Sequence, residues 1–131
     1  MHHGERPEPD RRLGEESPPE TPYARSYRIR DVLVVELRGE IDLGSALHVD
    51  PHLEAAAQGP RPLLVVLDLG PVDFIDCFGL SLLLRTRRRV VERGGDLRMA
   101  VAHVPTRKLL AMTGLDGVFC PVWTLEEALA P

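Results

Sequence analysis

The chain is poor in lysine, cysteine and aromatic residues, and each shortage excludes something. Lys108 is its one lysine, set against fifteen arginines, an imbalance that reads as the codon bias of a GC-rich genome. The net charge of −4 leaves no basic excess, which disfavours non-specific nucleic-acid binding. Aromatic residues make up 5% of the chain and none interleaves with its arginine cluster, so no platform for stacking bases is expected. The two cysteines, Cys77 and Cys120, form no CxxC pair, no Cys/His spacing for zinc and no disulfide framework. Reduced thiols and a cytoplasmic location follow, with no metal and no cofactor. No apolar run is long enough to span a membrane. The N-terminus is charged and Pro-rich, without the apolar centre of a secretion signal.

Hydrophobic residues nevertheless amount to 44%, enough for one domain with a modest core. They are unevenly spread. Residues 1–22 carry five prolines, an excess of acids and almost no large apolar side chain. Such a segment cannot bury enough surface to offset its ordering entropy, so 1–22 is expected to be a disordered tail and 23–131 the folded domain. Ser17-Pro18 and Thr21-Pro22 read as linker.

From Tyr23 onward, turn signals divide the chain. Tyr27–Ile29 and Val32–Leu37 read as an antiparallel hairpin turning at Arg30-Asp31. Gly39-Glu40-Ile41-Asp42 then leaves the sheet. Residues 45–58 are helical in composition, with Pro51 either in the first turn after an Asp50 cap or at a kink. The apolar run 63–69 suits a strand buried on both faces. Residues 79–93 show a helical stripe ended by Gly94-Gly95. Residues 97–102 read as a strand, 105–113 as a helix stopped by Gly114, and 118–122 as a short edge strand tolerant of Pro121. Thr124-Leu125-Glu126-Glu127 is a capping box opening a terminal helix. The order β-β-α-β-α-β-α-β-α predicts a single α/β domain, a mixed sheet of about five strands with about four packed helices.

The segment Phe74-Ile75-Asp76-Cys77-Phe78-Gly79-Leu80 reads as the turn where a buried strand gives way to a helix. The first N–H groups of a helix are unpaired and favour negative charge. A side chain at position 77 therefore stands where a phosphate would be welcomed.

Three features, taken in order, resemble one family. Gly39-Glu40-Ile41-Asp42 follows the second strand, where that family has Gly-Glu-Leu/Ile-Asp. The 74–80 segment is similar to its Phe-(Ile/Met)-Asp-Ser-(Ser/Thr)-Gly-Leu. Gly94-Gly95 and Thr113-Gly114-Leu115 are similar to its later helix-strand and helix-turn signatures. The family is the STAS domain, and within it the bacterial anti-sigma-factor antagonists. The resemblance covers roughly residues 24–130. It implies a mixed α/β fold and a non-enzymatic interaction module that regulates transcription by partner switching. The partner would be an anti-sigma factor that is also a serine-protein kinase; the module would bind neither nucleic acid nor membrane and would be a monomer or weak homodimer. The family's phosphoacceptor serine follows the motif aspartate, and its phosphate ends the interaction by charge and desolvation. Here that position holds Cys77, and Phe78 replaces the next small hydroxyl residue, so a serine kinase has no hydroxyl to use at either place. The partner-binding residues implied are Asp42, Asp76, Cys77, Phe78, Gly79, Leu80 and Ser81.

Other readings of these residues exist. A thiol in front of a helix dipole is biased toward thiolate, and oxidation to sulfinic or sulfonic acid would place charge where the family places phosphate. That would make the domain a redox sensor; the plainer reading is a small residue that leaves the domain unmodified, or a divergent scaffold. Ser81 is a candidate displaced acceptor, although serine is also an ordinary residue near a helix start. A cysteine-nucleophile enzyme would need a local base, and His48, His52 and His103 reach Cys77 only through the fold. A phosphate-accepting aspartate in a receiver-like domain would be Asp68 or Asp73. Asp68, Asp73 and Asp76 are read as turn and helix caps before a divalent-ion site. Arg85, Arg87, Arg88 and Arg89 are read first as a solvated face near a helix C-terminus.

Overall fold

The computed structural model describes residues 17–59 and 64–131. Strands β1 (Ala24–Ile29) and β2 (Val32–Leu37) form the expected hairpin, with Ile29 opposite Val32 and Arg30 taking the left-handed turn at φ 54°. Strand β4 (Leu64–Asp68) adds parallel to β2, and β6 (Asp96–Ala100) adds parallel to β4, giving a four-stranded sheet in the order β1-β2-β4-β6.

The alternation of the apolar strands sets the layers. Leu33, Val35, Leu37, Val65, Leu67, Leu97 and Met99 point to one face and form the main core with helices α1 (Ala46–Ala57) and α2 (Cys77–Glu92). Val34, Val66, Tyr27, Ile29 and Ala100 point to the other, where Leu125 and Ala128 of the terminal helix α5 (Leu125–Leu129) cover them. Both faces are covered, which is why β2 and β4 are apolar at nearly every position, Glu36 and Asp68 excepted.

The structure differs from the sequence expectations at several points. Gly39-Glu40-Ile41 leaves the four-stranded sheet as expected, but as a strand: it forms β3 (Gly39–Ile41), which pairs in parallel with β5 (Val72–Ile75) as a separate two-stranded sheet. Gly39, at φ 70°, permits the break from β2. Strands of three and four residues carry too little alternation to be read from sequence. Pro51 lies inside α1, more than a turn past its start, so Asp50 caps nothing there. The segment 118–122 is not an edge strand; Asp116–Phe119 is the short helix α4, and only Val122 makes a bridge, to Ala100 of β6. Helix α3 (Val104–Met112) and the Thr124–Glu127 capping box stand as expected.

Contacts with the domain begin before Tyr23. Thr21 Oγ1 accepts from the backbone N–H groups of Tyr23 and Ala24 at 3.1 and 3.0 Å and donates to the His48 carbonyl at 3.2 Å. His52, buried in α1, donates from Nε2 to the Pro19 carbonyl at 2.9 Å, and its Nδ1 meets Ser26 Oγ at 2.6 Å. Glu20 pairs with Arg38 at 2.9 Å. The stretch from Pro19 to Thr21, expected within the tail, is thus bonded to α1 and to the start of β1; residues 1–16 of that tail lie outside the described residues.

Candidate functional site

Strands β3 and β5 run in the same direction and end level, with Ile41 opposite Ile75. Each is followed by an aspartate, and each aspartate caps a helical turn. Asp42 Oδ1 accepts from Ser45 N–H at 3.1 Å while Ser45 Oγ accepts from Asp42 N–H at 3.1 Å, closing a capping box around the 3-10 turn Leu43–Ser45 that leads into α1. Asp76 Oδ1 accepts from Gly79 N–H at 2.9 Å and opens α2. Aspartate suits both places, because its short carboxylate meets orphan N–H groups.

The two turns touch. Asp76 N–H points to the Ile41 carbonyl at 3.4 Å. A Cβ on Gly79 would lie 2.5 Å from that same carbonyl oxygen and 2.7 Å from Ile75 Cγ1. Only glycine lets the start of α2 lie this close to the end of β3.

The residues expected at the site divide into two groups. Cys77 and Phe78 are exposed at the first two positions of α2, Ser81 is exposed one turn on, and Asp42 and Asp76 are half-buried beside them. Gly79 and Leu80 are buried, Leu80 within the main core, so neither offers a side chain to a partner. The expectation for Leu80 is corrected accordingly: it anchors the helix start from beneath. The Ser81 hydroxyl donates to the Phe78 carbonyl at 2.6 Å, a local bond typical of serine near a helix start.

Most of the other candidates take local roles. Asp68 is buried and accepts from Gly70 N–H at 2.9 Å, the turn role expected of it. Asp73 is exposed on β5. Among the described residues no group of three His, Cys, Asp or Glu side chains is placed to hold a metal. The His52 ring is engaged by Ser26 and Pro19, and His103 Nδ1 meets Thr106 Oγ1 at 2.9 Å at the start of α3. Two of the arginines of α2 are not free in solvent: Arg85 pairs with Asp50 at 2.8 Å, and Arg89 with Glu54 at 2.7 Å, both across to α1. Among the described residues no helix is long and apolar enough to cross a membrane.

Three exposed apolar side chains at this end of the molecule, Leu43, Leu47 and Phe74, are not legible in the sequence as site residues. The available signal is the repetition of Ile-Asp at 41–42 and 75–76, one dipeptide ending each of two paired strands.

Fold and site together define a class: a small mixed α/β domain in which two level strands hand over to two Asp-capped helix starts. Residues 23–129 match the STAS domain, and the chain belongs to that family. It is 31% identical over 97 residues to the anti-sigma F factor antagonist of Paenibacillus polymyxa, covering 74% of this chain and 82% of the relative. Among solved structures it is similar to an anti-sigma factor antagonist from Mycobacterium paratuberculosis, with a TM-score of 0.74 and 30% identity over 86% of this chain and 95% of the other. It is also similar to an anti-sigma-factor antagonist (STAS) domain protein from Planctomyces limnophilus, with a TM-score of 0.71 and 25% identity over 81% and 94% of the two chains.

Proposed function

We propose that the protein is an anti-sigma-factor antagonist: it docks an anti-sigma factor that is also a serine-protein kinase, and so frees a sigma factor for transcription. The observation that carries this reading is the exposed Cys77–Phe78 pair at the Asp76-capped start of α2, set directly against the Asp42 turn. A helix start of this kind, in a chain 31% identical to an anti-sigma F factor antagonist, is a docking surface with room for an anion. The domain acts by binding and not by catalysis, in the cytoplasm, as a monomer or weak homodimer. Docking engages Asp42, Asp76, Cys77, Phe78 and Ser81, over Gly79 and Leu80, which hold the surface in place.

Cys77 removes the hydroxyl that a serine kinase would modify. The nearby Ser81 hydroxyl is directed into the helix backbone. The protein therefore remains in its binding form when its partner holds ATP. Cys77→Ser tests this. With an anti-sigma serine kinase from the source organism and ATP, the variant is expected to take the γ-phosphoryl group on the Oγ of the introduced serine with release of ADP, whereas the parent takes none at this position. An active kinase that binds the variant and leaves it unmodified refutes the reading of position 77. A folded chain that binds none of the organism's anti-sigma kinases refutes the function.

A further inference from the structure

Besides α3, which packs against β5 and carries Arg107 and the exposed Lys108, the chain around β3 and β5 consists of residues 39–59 and 64–84. Neither segment contains a lysine or an arginine, and together they hold seven acids. Three of the seven are already committed: Asp50 and Glu54 pair with Arg85 and Arg89, and Asp68 is buried. Among the described residues no cation pairs with the other four, Glu40, Asp42, Asp73 and Asp76. They lie on or directly after the two paired strands, where Glu40 stands opposite Phe74.

Exposed apolar side chains sit among these acids. Leu43 is 71% and Leu47 87% exposed, and Phe74 and Phe78 are exposed beside them. The ion pairs between the helices set α1 and α2 side by side, running in the same direction. Asp50 meets Arg85 and Glu54 meets Arg89, the same offset of 35 residues each time. All four apolar residues are exposed where β3 and β5 end or in the turns that follow, and exposed apolar side chains with a polar rim mark an interaction surface.

We propose that this face docks a partner surface that is both apolar and basic, an apolar anchor ringed by lysine or arginine, and that Leu43, Leu47, Glu40 and Asp73 extend the docking site beyond Asp42 and the 76–81 turn. The inference rests on the docking role given to that turn above and names the chemistry of what docks. Charge selects the occupant. A second copy of this chain would set acid against acid, and an anionic membrane or a nucleic acid would meet the same repulsion.

The probe is a 20-residue amphipathic peptide of leucine and lysine, with its leucine–glutamate counterpart as control, titrated into the isotope-labelled full chain and followed by amide shifts. At about 0.01 M salt, where screening extends ~30 Å, the lysine peptide is expected to shift residues 40–47 and 73–81. The glutamate peptide is expected to shift neither. Glu40→Lys with Asp73→Lys, at two exposed positions, is expected to weaken the lysine peptide roughly tenfold at low salt and less than about twofold at about 1 M salt. Leu47→Ala is expected to weaken it about fivefold or more at both. Shifts elsewhere, equal binding of the two peptides, no effect of the charge reversal, or concentration-dependent shifts of 40–47 without peptide each overturn the proposal. Kinase binding separates it from the reading it rests on. A kinase that binds while the peptides map elsewhere refutes only this inference; peptides that map here while no kinase binds refute only the reading above.

Discussion

Gly79→Ala is the sharpest test of how the site is held together. The added methyl would stand 2.5 Å from the Ile41 carbonyl oxygen, 2.7 Å from Ile75 Cγ1 and 3.2 Å from the Ile41 carbonyl carbon. Ordinary contacts begin near 3.4 Å, so the oxygen must retreat by close to an ångström. Ile75 can turn its side chain, but the carbonyl belongs to β3, which is pinned by its pairing with β5. Relief therefore requires moving the start of α2 away from the Asp42 turn. In an open helix the same substitution would stabilise by about 1 kcal/mol. Overpacking a filled core costs about 1–3 kcal/mol and occasionally more. A net loss of roughly 1–2 kcal/mol is expected, which for a domain of this size lowers Tm by about 4–8 °C. Gly117→Ala is the control: nothing lies within 4 Å of its Cβ, and Tm is expected to hold or rise slightly. Calorimetric melts of the two variants decide the matter. A Gly79→Ala protein that melts within a degree of the parent refutes the close approach of the two turns.

Other consequences are independent of that contact. Cys77→Asp places a charge on the docking surface and is expected to weaken kinase binding about tenfold or more by calorimetry; unchanged affinity would locate the surface elsewhere. His52 is held neutral by burial, which lowers its pKa from the usual value; the bond to the Pro19 carbonyl opposes this less strongly. A histidine whose folded pKa is depressed adds stability above its unfolded pKa of about 6.5 and loses it as pH falls. Tm should therefore drop between pH 7 and pH 5, and His52→Gln should flatten that slope; equal slopes would show that His52 does not control it. Arg107 donates to the carbonyls of Val101, Val122 and Pro121 and stacks 3.6 Å over the ring of Trp123, the only tryptophan. Arg107→Ala leaves those carbonyls short of a donor and is expected to lower stability by about 2 kcal/mol and to change Trp123 emission. An unaltered spectrum would refute the clasp.

The parts of the fold legible in the sequence are those where one force decides. Val32–Leu37 is apolar at nearly every position because both its faces are covered, and its ends are legible to the residue. Thr124 and Glu127 announce the terminal helix because a capping box is local chemistry. Legibility fails where partners distant in sequence decide. Residues 39–41 become a strand only because 72–75 lies alongside. Pro51 is carried inside α1 because Val49, Leu53 and Ala56 bury the helix around it, against a local cost of about 3 kcal/mol. Phe119 is buried from a helical turn, although Val118–Val122 alone reads as extended. At the 74–80 turn the motif places the strand end and helix start, but only the fold separates buried Leu80 from exposed Phe78, and no spacing rule shows that Leu43 and Leu47 are exposed.

The exchange at positions 77 and 78 touches none of what holds this turn. The cap is made by the Asp76 carboxylate and the Gly79 N–H; the close approach is made by Gly79 and Ile41; the anchor beneath is Leu80. Cys77 and Phe78 project outward from the same turn and are exposed. A serine, a cysteine or a phosphorylated serine at position 77 would therefore leave the helix start as it stands, and the choice among them changes only what a partner meets. The frame of the turn and its outward residues are thus separable: the frame is held by 41, 76, 79 and 80, and 77 and 78 stand outside it. The double variant Cys77→Ser with Phe78→Ser follows from that separation. It is expected to melt within about 2 °C of the parent, since neither side chain is buried in the core. It is also expected to accept phosphate and to lose affinity when phosphorylated. A variant that unfolds would show that the turn depends on these two residues after all.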